Sequence, residues 1–196
     1  MNILSLNVNG LGKGDFKSSW INNIISKHNI NFVGIQESKW KNPSEMDVRR
    51  IWGSNDFEFV SQWSLGKSGG LNSIWNKNIF QKTYCILRQD CIIIKGYWIE
   101  SGEEVYFINI YANQSRERRK ELWNFISAAL CNWQGQTFIV GDFNEVRESN
   151  ERRGSIFDRV GATELDKFIK NNELEDLKIG GEILLGSTRS VRKWAD

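Results

Sequence analysis

Residues 138–146 read FIVGDFNEV, an apolar run that stops at a Gly-Asp-Phe-Asn turn. A short apolar run bounded by turn residues is typical of a buried β-strand. Asp142 and Asn144 then stand two residues apart at the carboxyl end of that strand. The pattern predicts a polar site at one edge of a sheet, and it raises the question of which other side chains meet these two there.

The rest of the chain alternates between patterns of strands and patterns of helices. Strands are expected over residues 2–8, 30–36, 57–63, 70–75, 84–87, 91–99 and 105–111, and helices over residues 15–28, 44–52, 116–133 and 161–172. In the first helix an i, i+4 stripe is formed by Trp20, Ile24 and His28. Many adjacent strands mixed with separated helices predict an α/β (α+β) sandwich of two packed sheets.

Composition places the chain in the globular class. Its 196 residues are 40% hydrophobic and 26% charged, and they form one domain by length. A net charge of +2 allows an anionic partner without requiring one. Cys85, Cys91 and Cys131 lack the spacing of a metal site, so reduced thiols are expected rather than a disulfide framework. With no leader pattern and no apolar run of about 20 residues, we expect an intracellular protein, nuclear or cytoplasmic, without a membrane span.

The polar residues that could take part in catalysis or metal binding all lie at the carboxyl ends of predicted strands. Asn7, Glu37 and Tyr111 stand at three such ends, and Asp142 with Asn144 stands at a fourth. Strand ends gather polar groups from distant parts of a sequence around one crevice. Carboxylate and amide oxygens without thiolates suit a hard cation such as Mg²⁺. The arrangement favours metal-assisted chemistry at a phosphoryl group.

Each of these residues also has a purely structural interpretation. Asp142 and Asn144 suit an Asx-type turn, and Glu37 suits the start of a helix. Asn7 suits the end of a strand, and Tyr111 suits the core with its hydroxyl bonded. It is the joint pattern that favours a functional site.

Four separated motifs resemble the endonuclease/exonuclease/phosphatase superfamily. They are SLNVNGL at 5–11, GIQES at 34–38, NIYAN at 109–113 and GDFNEV at 141–146. The text over 151–169 and 174–181 looks like the apurinic-type endonuclease domain of LINE (non-LTR) retrotransposons. The resemblance covers residues 1–181, and it implies a four-layer sandwich of two mixed β-sheets flanked by helices. Residues 182–196 do not resemble the family.

The resemblance also implies roles for single residues. Glu37 is the expected metal ligand with Asn7 beside it, and Mg²⁺ is the expected cofactor, with Mn²⁺ as the alternative. Tyr111 would contact the scissile phosphate, Asp142 would help to activate the attacking water, and Asn144 would position it. The implied activity is Mg²⁺-dependent cleavage of DNA phosphodiesters.

Two departures from the family pattern bear on activity. Asn113 stands where the family has proline, which predicts a looser loop after Tyr111. The family's closing Leu-Asp-Arg strand and Ser-Asp-His motif do not occur here, and the single histidine, His28, precedes Glu37. The sequence therefore predicts an incomplete domain that lacks its last strands, has lost or reduced activity, and carries a tail from Glu182 that a reading-frame shift would explain.

Three hypotheses remain open at this point. The first is an endonuclease domain by descent with reduced turnover, the second a nucleic-acid binder without catalysis, and the third a gene fragment without selected function. A phosphatase of small phosphoesters is the alternative within the superfamily. DNA is the expected partner, no protein partner is evident, and a monomer is expected. The predicted nucleic-acid contacts are Arg116, Arg118, Arg119, Arg147, Arg152 and Arg153, although such charges also occur on plain solvated faces.

Overall fold

The computed structural model describes residues 1–12, 16–64, 69–151 and 156–175, and the backbone of 191–194. The strands in this part of the chain are β1 Ile3–Asn7, β2 Phe32–Gln36, β3 Phe57–Gln62, β4 Leu71–Asn76, β5 Phe80–Leu87, β6 Cys91–Trp98, β7 Glu104–Tyr111, β8 Gln136–Asp142 and β9 Val191–Trp194. The α-helices are α1 Phe16–Lys27, α2 Glu45–Trp52, α3 Arg116–Leu130 and α4 Arg159–Asn171.

The strands form two mixed sheets. The first has the order β1-β2-β4-β3 and the second the order β5-β6-β7-β8-β9. Within each sheet one neighbouring pair is parallel, β1 with β2 and β7 with β8. All other pairs are antiparallel. The carboxyl ends of these four strands carry the predicted site residues.

Aromatic side chains fill the space between the sheets. Phe32 of β2 stacks on Phe107 of β7 with ring centroids 3.7 Å apart, and Phe107 stacks in turn on Phe138 of β8 at 5.1 Å. Because both faces of β2 are covered, all five of its residues are buried, as in strands covered by layers on both sides. This contact joins the two sheets into one sandwich.

Helices cover the outer face of each sheet. Ile21 and Ile25 of α1 and Val48 and Ile51 of α2 pack on the first sheet. On the second sheet the packing residues of α3 and α4 include Leu122, Trp123, Leu165 and Phe168. The layers are therefore helix, sheet, sheet and helix, which confirms the predicted four-layer sandwich. In the part of the chain that the structure describes, no helix is long and apolar enough to cross a membrane.

One strand of the second sheet comes from the tail that does not resemble the family. β9 pairs antiparallel with β8 along residues 137–140, so β8 is not the sheet edge there. An unpaired strand edge accepts any extended segment that reaches it, because its N–H and C=O groups need partners. Over these four residues the neighbour of β8 is therefore a segment of the tail. The expected boundary at residues 181 and 182, and residues 182–190 of the tail, lie outside the described residues.

Candidate active site

The two parallel strand pairs bring four predicted residues to one end of the sandwich. Asn7 ends β1 and lies in register with Gln36, the last residue of β2, so that Glu37 follows directly beside it. In the second sheet Tyr111 ends β7 in register with Asp142, which ends β8. Parallel strands of equal register end at the same edge, so each sheet contributes two neighbouring side chains.

Asn7 connects the carboxylates of the two sheets. Its Nδ2 donates to Glu37 Oε1 at 2.9 Å and to Asp142 Oδ2 at 2.9 Å, and its Oδ1 accepts from the backbone N–H of Asn9 at 3.2 Å. Asp142 is buried, with 4% of its surface exposed. One amide group therefore holds two carboxylates from different sheets within reach of a single small ligand.

Tyr111 completes this cluster from the β7 side. Burial raises the pKa of its hydroxyl above the ordinary value, and the hydrogen bond to Glu37 and the negative charges of Glu37 and Asp142 raise it further. A hydroxyl with a raised pKa stays protonated at neutral pH. Tyr111 is thus a hydrogen-bond donor at the edge of the two carboxylates.

Replacing Tyr111 by phenylalanine is expected to change how stability depends on alkaline pH. The folded pKa of Tyr111 is raised, so its hydroxyl stabilises the folded state fully at any pH below the unfolded pKa of about 10. This stabilisation is lost as the pH rises through the folded pKa. The difference in Tm between wild type and Tyr111→Phe should therefore become smaller above about pH 10. Tyr84→Phe, at an exposed tyrosine, is the control. A Tm difference that stays constant from about pH 8 to about pH 11 would contradict a raised pKa of Tyr111.

Asn144 lies in the loop that follows β8 and adopts a φ of 47°. Its backbone N–H donates to Asp142 Oδ1 at 2.9 Å, and its Nδ2 donates to the backbone oxygen of Ala112 at 2.6 Å. The Asx turn proposed as the structural interpretation is therefore present. It uses one oxygen of Asp142, while the other oxygen faces Asn7, so the turn and the site share one carboxylate.

Glu37 also adopts a left-handed conformation, with a φ of 53°. A residue other than glycine rarely adopts positive φ, and such strain is concentrated at functional sites. Ser38, next in the chain, is fixed by its N–H, which donates to the backbone oxygen of Gly70 at 3.0 Å. The surrounding structure thus holds Glu37 in its unusual conformation.

The loop after Tyr111 is held in place despite its departure from the family pattern. Asn113 Oδ1 accepts from the backbone N–H of Ser115 at 2.8 Å, and Ser115 caps α3 by accepting from the N–H of Arg118. The N–H of Ala112 donates to the backbone oxygen of Asp142 at 2.8 Å. An asparagine side chain thus closes the turn where the family has proline, and the looser loop at Asn113 stays a prediction.

The donor set fits a hard divalent cation. Glu37 and Asp142 offer carboxylate oxygens, which Mg²⁺ prefers, and Mg²⁺ is commonly bound through one or two carboxylates together with waters. Asn7 turns its Nδ2 toward both carboxylates and its Oδ1 toward the N–H of Asn9. Among the described residues, no cluster of three or more His, Cys, Asp or Glu side chains suits a metal. The carboxylates of Glu37 and Asp142 fit a cation that keeps part of its water shell.

His28 lies at the opposite end of the first sheet. Asn2, just before β1, donates from its Nδ2 to the backbone oxygen of His28 at 2.8 Å. Asn2 and Asn7 are separated by the length of β1, about 16 Å at about 3.3 Å per residue. The histidine of this sequence therefore does not reach the site.

Five of the six predicted nucleic-acid contacts fall into three groups. Arg116 and Arg118 are exposed on the first turn of α3, and Arg118 forms a surface ion pair with Glu121 at 3.2 Å. Arg147 lies 3.8 Å from Asp166. Arg152 and Arg153 lie outside the described residues.

Arg119 requires a correction. It was predicted to contact nucleic acid, but its side chain is only 6% exposed and pairs with Glu145 at 2.7 Å. Its position could have been read from the sequence, since residue 119 lies three, four and seven positions before Leu122, Trp123 and Ile126 on the apolar face of α3. The Arg119–Glu145 pair is the main feature of this region that sequence reasoning missed.

Comparison with solved structures places this architecture among nucleases and phosphatases. An AP endonuclease from Archaeoglobus fulgidus matches at a TM-score of 0.66 and 16% identity, covering 90% of this chain and 72% of that one. An endonuclease/exonuclease/phosphatase family protein from Bacteroides thetaiotaomicron matches at 0.64 and 12%, covering 89% and 68%. The AP endonuclease LMAP from Leishmania major matches at 0.63 and 12%, covering 89% and 66%.

These likenesses establish the fold. The chain has the endonuclease/exonuclease/phosphatase fold, as its motifs predicted. It spans about two thirds of the length of the AP endonuclease from Leishmania major. No protein-family model and no curated protein sequence matches it.

Proposed function

We propose that this chain is by descent a Mg²⁺-dependent DNA endonuclease domain of a LINE retrotransposon, of the phosphodiester-cleaving type, with lost or greatly reduced turnover. The observation that carries the proposal is the meeting of Asn7, Glu37, Tyr111 and Asp142 at one end of the sandwich. In a protein with this fold, that end combines two carboxylates, an amide and a protonated hydroxyl. The LINE origin rests on the motif resemblance over residues 1–181.

Glu37 would hold the cation, with Asn7 beside it. When bound, Mg²⁺ (or Mn²⁺) supplies positive charge that stabilises the charge developing on a phosphoryl oxygen. Glu37 is pre-positioned for this task by its strained backbone and by the amide of Asn7. Tyr111, kept protonated by its buried setting, would donate a hydrogen bond to a phosphate oxygen.

Asp142 and Asn144 would handle the attacking water. Asp142 is buried and accepts hydrogen bonds at both oxygens, from Asn7 and from the N–H of Asn144, so its carboxylate is fixed in orientation. A fixed carboxylate is suited to accept a proton from water. The amide of Asn144, anchored at Ala112, would orient that water and the phosphate.

Turnover by these 196 residues is proposed to be lost or greatly reduced. The family's terminal histidine has no counterpart in the sequence, and His28 is held at the far end of β1. Positioned acid–base assistance contributes about 10²–10⁴-fold to a reaction rate. The remaining residues would bind metal and phosphate with little hydrolysis.

DNA contact is proposed for the exposed Arg116 and Arg118 and the half-buried Arg147, together with Arg152 and Arg153. Each phosphate neutralised by such a side chain releases counterions, so that binding weakens as salt rises. A net charge of +2 predicts few such contacts. Duplex DNA binding should therefore be weak and salt-dependent, and the double variant Arg116→Gln/Arg118→Gln should reduce the salt slope.

The test is a nicking assay on supercoiled DNA with Mg²⁺, with Asp142→Ala as the matched inactive variant. We expect DNA binding with slow or undetectable nicking, and a gain on addition of imidazole that Asp142→Ala does not show. Robust nicking by wild type that Asp142→Ala loses would contradict the reduced turnover but support the site. Binding without any nicking, with or without imidazole, would favour the non-catalytic binder instead. Absence of both binding and nicking would refute the proposed function.

A further inference from the structure

The contacts of Arg119 converge on the two loops that carry Tyr111 and Asn144. Its Nη1 donates to the backbone oxygens of Gln114 at 2.6 Å and Asn113 at 3.3 Å, both in the loop after β7. Its Nη2 donates to Glu145 Oε2 at 2.7 Å, in the loop after β8. One guanidinium group thus spans two loops that come from different strands.

The same group also reaches the start of α4. Asp158 Oδ2 lies 3.7 Å from Arg119 Nη2, while Asp158 Oδ1 caps the helix by accepting from the N–H groups of Val160 and Gly161. The side chain of Glu145 is 1% exposed, so this contact is shielded from solvent. Arg119 is therefore a buried junction of three segments rather than a surface charge.

Asn144 lies between these connections. Its Nδ2 donates to Ala112, which directly follows Tyr111, and Glu145 is the next residue in the chain. Movement of the loop after β7 relative to the loop after β8 would displace the amide of Asn144 from Ala112. Asp142 and Tyr111 themselves end regular strands in register, so their places depend less on the loops.

We propose that Arg119 is a positioning residue that sets the placement of the Asn144 amide by tying the loop after β7 to Glu145. The proposal rests on the proposed function in assigning Asn144 a role at the phosphate and water. A buried ion pair usually contributes little net stability compared with an apolar pair of similar size. The Arg119–Glu145 pair is therefore better explained by the loop positions that it fixes than by a gain in stability. The planar fork of arginine is needed because lysine cannot reach a carboxylate and two carbonyl groups in one fixed geometry.

The proposal predicts that a change at Arg119 affects the loops after β7 and β8 but does not affect the residues proposed to hold Mg²⁺. Glu37 and Asn7 belong to the first sheet, and none of the Arg119 contacts above involves them. Arg119→Lys should therefore leave the Mg²⁺ affinity of the folded protein unchanged. The same substitution should increase the rate of hydrogen exchange at the backbone amides of Ala112 and Asn144. These two amides lie in the two loops and donate hydrogen bonds to Asp142.

The test is backbone amide exchange by NMR on the whole chain, combined with a Mg²⁺ titration. We expect exchange at Ala112 and Asn144 to become about 10- to 100-fold faster in Arg119→Lys, the range for loss of a charged hydrogen bond. Amides in β2, such as that of Ile35, should keep their protection. Arg49→Lys is the matched control, since Arg49 makes a surface ion pair with Glu45 on α2. Glu145→Gln keeps the shape of the partner and should reproduce the selective effect if Arg119→Lys does not fold.

Each outcome decides the proposal. Selective release at Ala112 and Asn144 with unchanged Mg²⁺ affinity supports it. Unchanged exchange at both amides, a uniform rise across all core amides, or failure of both variants to fold would overturn it. Loss of Mg²⁺ affinity in folded Arg119→Lys would also count against it. If wild type itself binds no Mg²⁺, the proposed function fails, while the exchange measurement still decides whether Arg119 ties the loops.

Discussion

Gly141→Ala is expected to destabilise the fold by about 3–5 kcal/mol, combining backbone strain with overpacking. Gly141 directly precedes Asp142 and has a φ of 132°, a conformation that side chains rarely adopt. An added Cβ would lie 2.0 Å from the backbone oxygen of Ile110 in the neighbouring strand β7. Neither strand can move aside without breaking the register that aligns Tyr111 with Asp142.

Urea unfolding followed by tryptophan fluorescence measures this effect, with Gly102→Ala as the control. Gly102 also has positive φ, 72°, but an added Cβ would meet nothing within 4 Å. Gly102→Ala should thus show only the left-handed backbone cost of about 1–2 kcal/mol. Equal losses in the two variants would mean that close packing against Ile110 is not what requires glycine at position 141.

Asn109→Asp is expected to cost about 3–5 kcal/mol at neutral pH, because it buries a charge without a cationic partner. Asn109 is 1% exposed. Its Oδ1 accepts from Gln36 Nε2 at 2.7 Å, and its Nδ2 donates to the backbone oxygen of Asn72 at 3.0 Å and to Ser73 Oγ at 3.3 Å. This network crosses between the sheets beneath the site. A carboxylate would turn an oxygen toward the backbone oxygen of Asn72.

The pH dependence of this variant provides an internal check. A buried carboxyl has a raised folded pKa, so the penalty is small below the unfolded value of about 3.9 and grows as the pH rises toward the folded value. Thermal unfolding of Asn109→Asp should therefore approach wild type as the pH falls. Asn113→Asp, at an exposed turn residue whose Oδ1 accepts from Ser115, should remain near wild type throughout. A penalty at position 109 that does not vary with pH would argue against buried charge as its cause.

The strand ends could be predicted from sequence because each is marked by a change from apolar to polar residues. Asn7 and Asp142 end their strands at the positions that the apolar runs indicated. Local pattern does not, however, specify how two sheets face each other. The hydrogen bond from Asn7 to Asp142, which joins the two sheets, depends on that packing, and the resemblance to a family supplied what periodicity could not.

Helix faces show why other predictions differed from the structure. In the first helix the stripe noted in the sequence was Trp20, Ile24 and His28, but the buried residues are Ser18, Ile21 and Ile25, and His28 is exposed. Two adjacent stripes of similar apolar content compete in this helix, and packing against α2 and the first sheet decides between them. The strand β5 begins at Phe80 rather than at the expected Tyr84. A bulge between Lys82 and Tyr84 interrupts the alternation of side chains, and this explains why the sequence pattern did not indicate the first part of the strand.

The central claim is that a divalent-cation site is built from strand ends around Glu37, and a Mg²⁺ titration of thermal stability tests it most directly. A ligand that binds only the folded state stabilises it by about 2.7 kcal/mol at a concentration 100 times its Kd. We expect wild type and Glu58→Gln, at an exposed glutamate of β3, to be stabilised alike by Mg²⁺, and Glu37→Gln to lose most of the response. Equal stabilisation of Glu37→Gln and wild type would contradict the claim and remove Glu37 from the site.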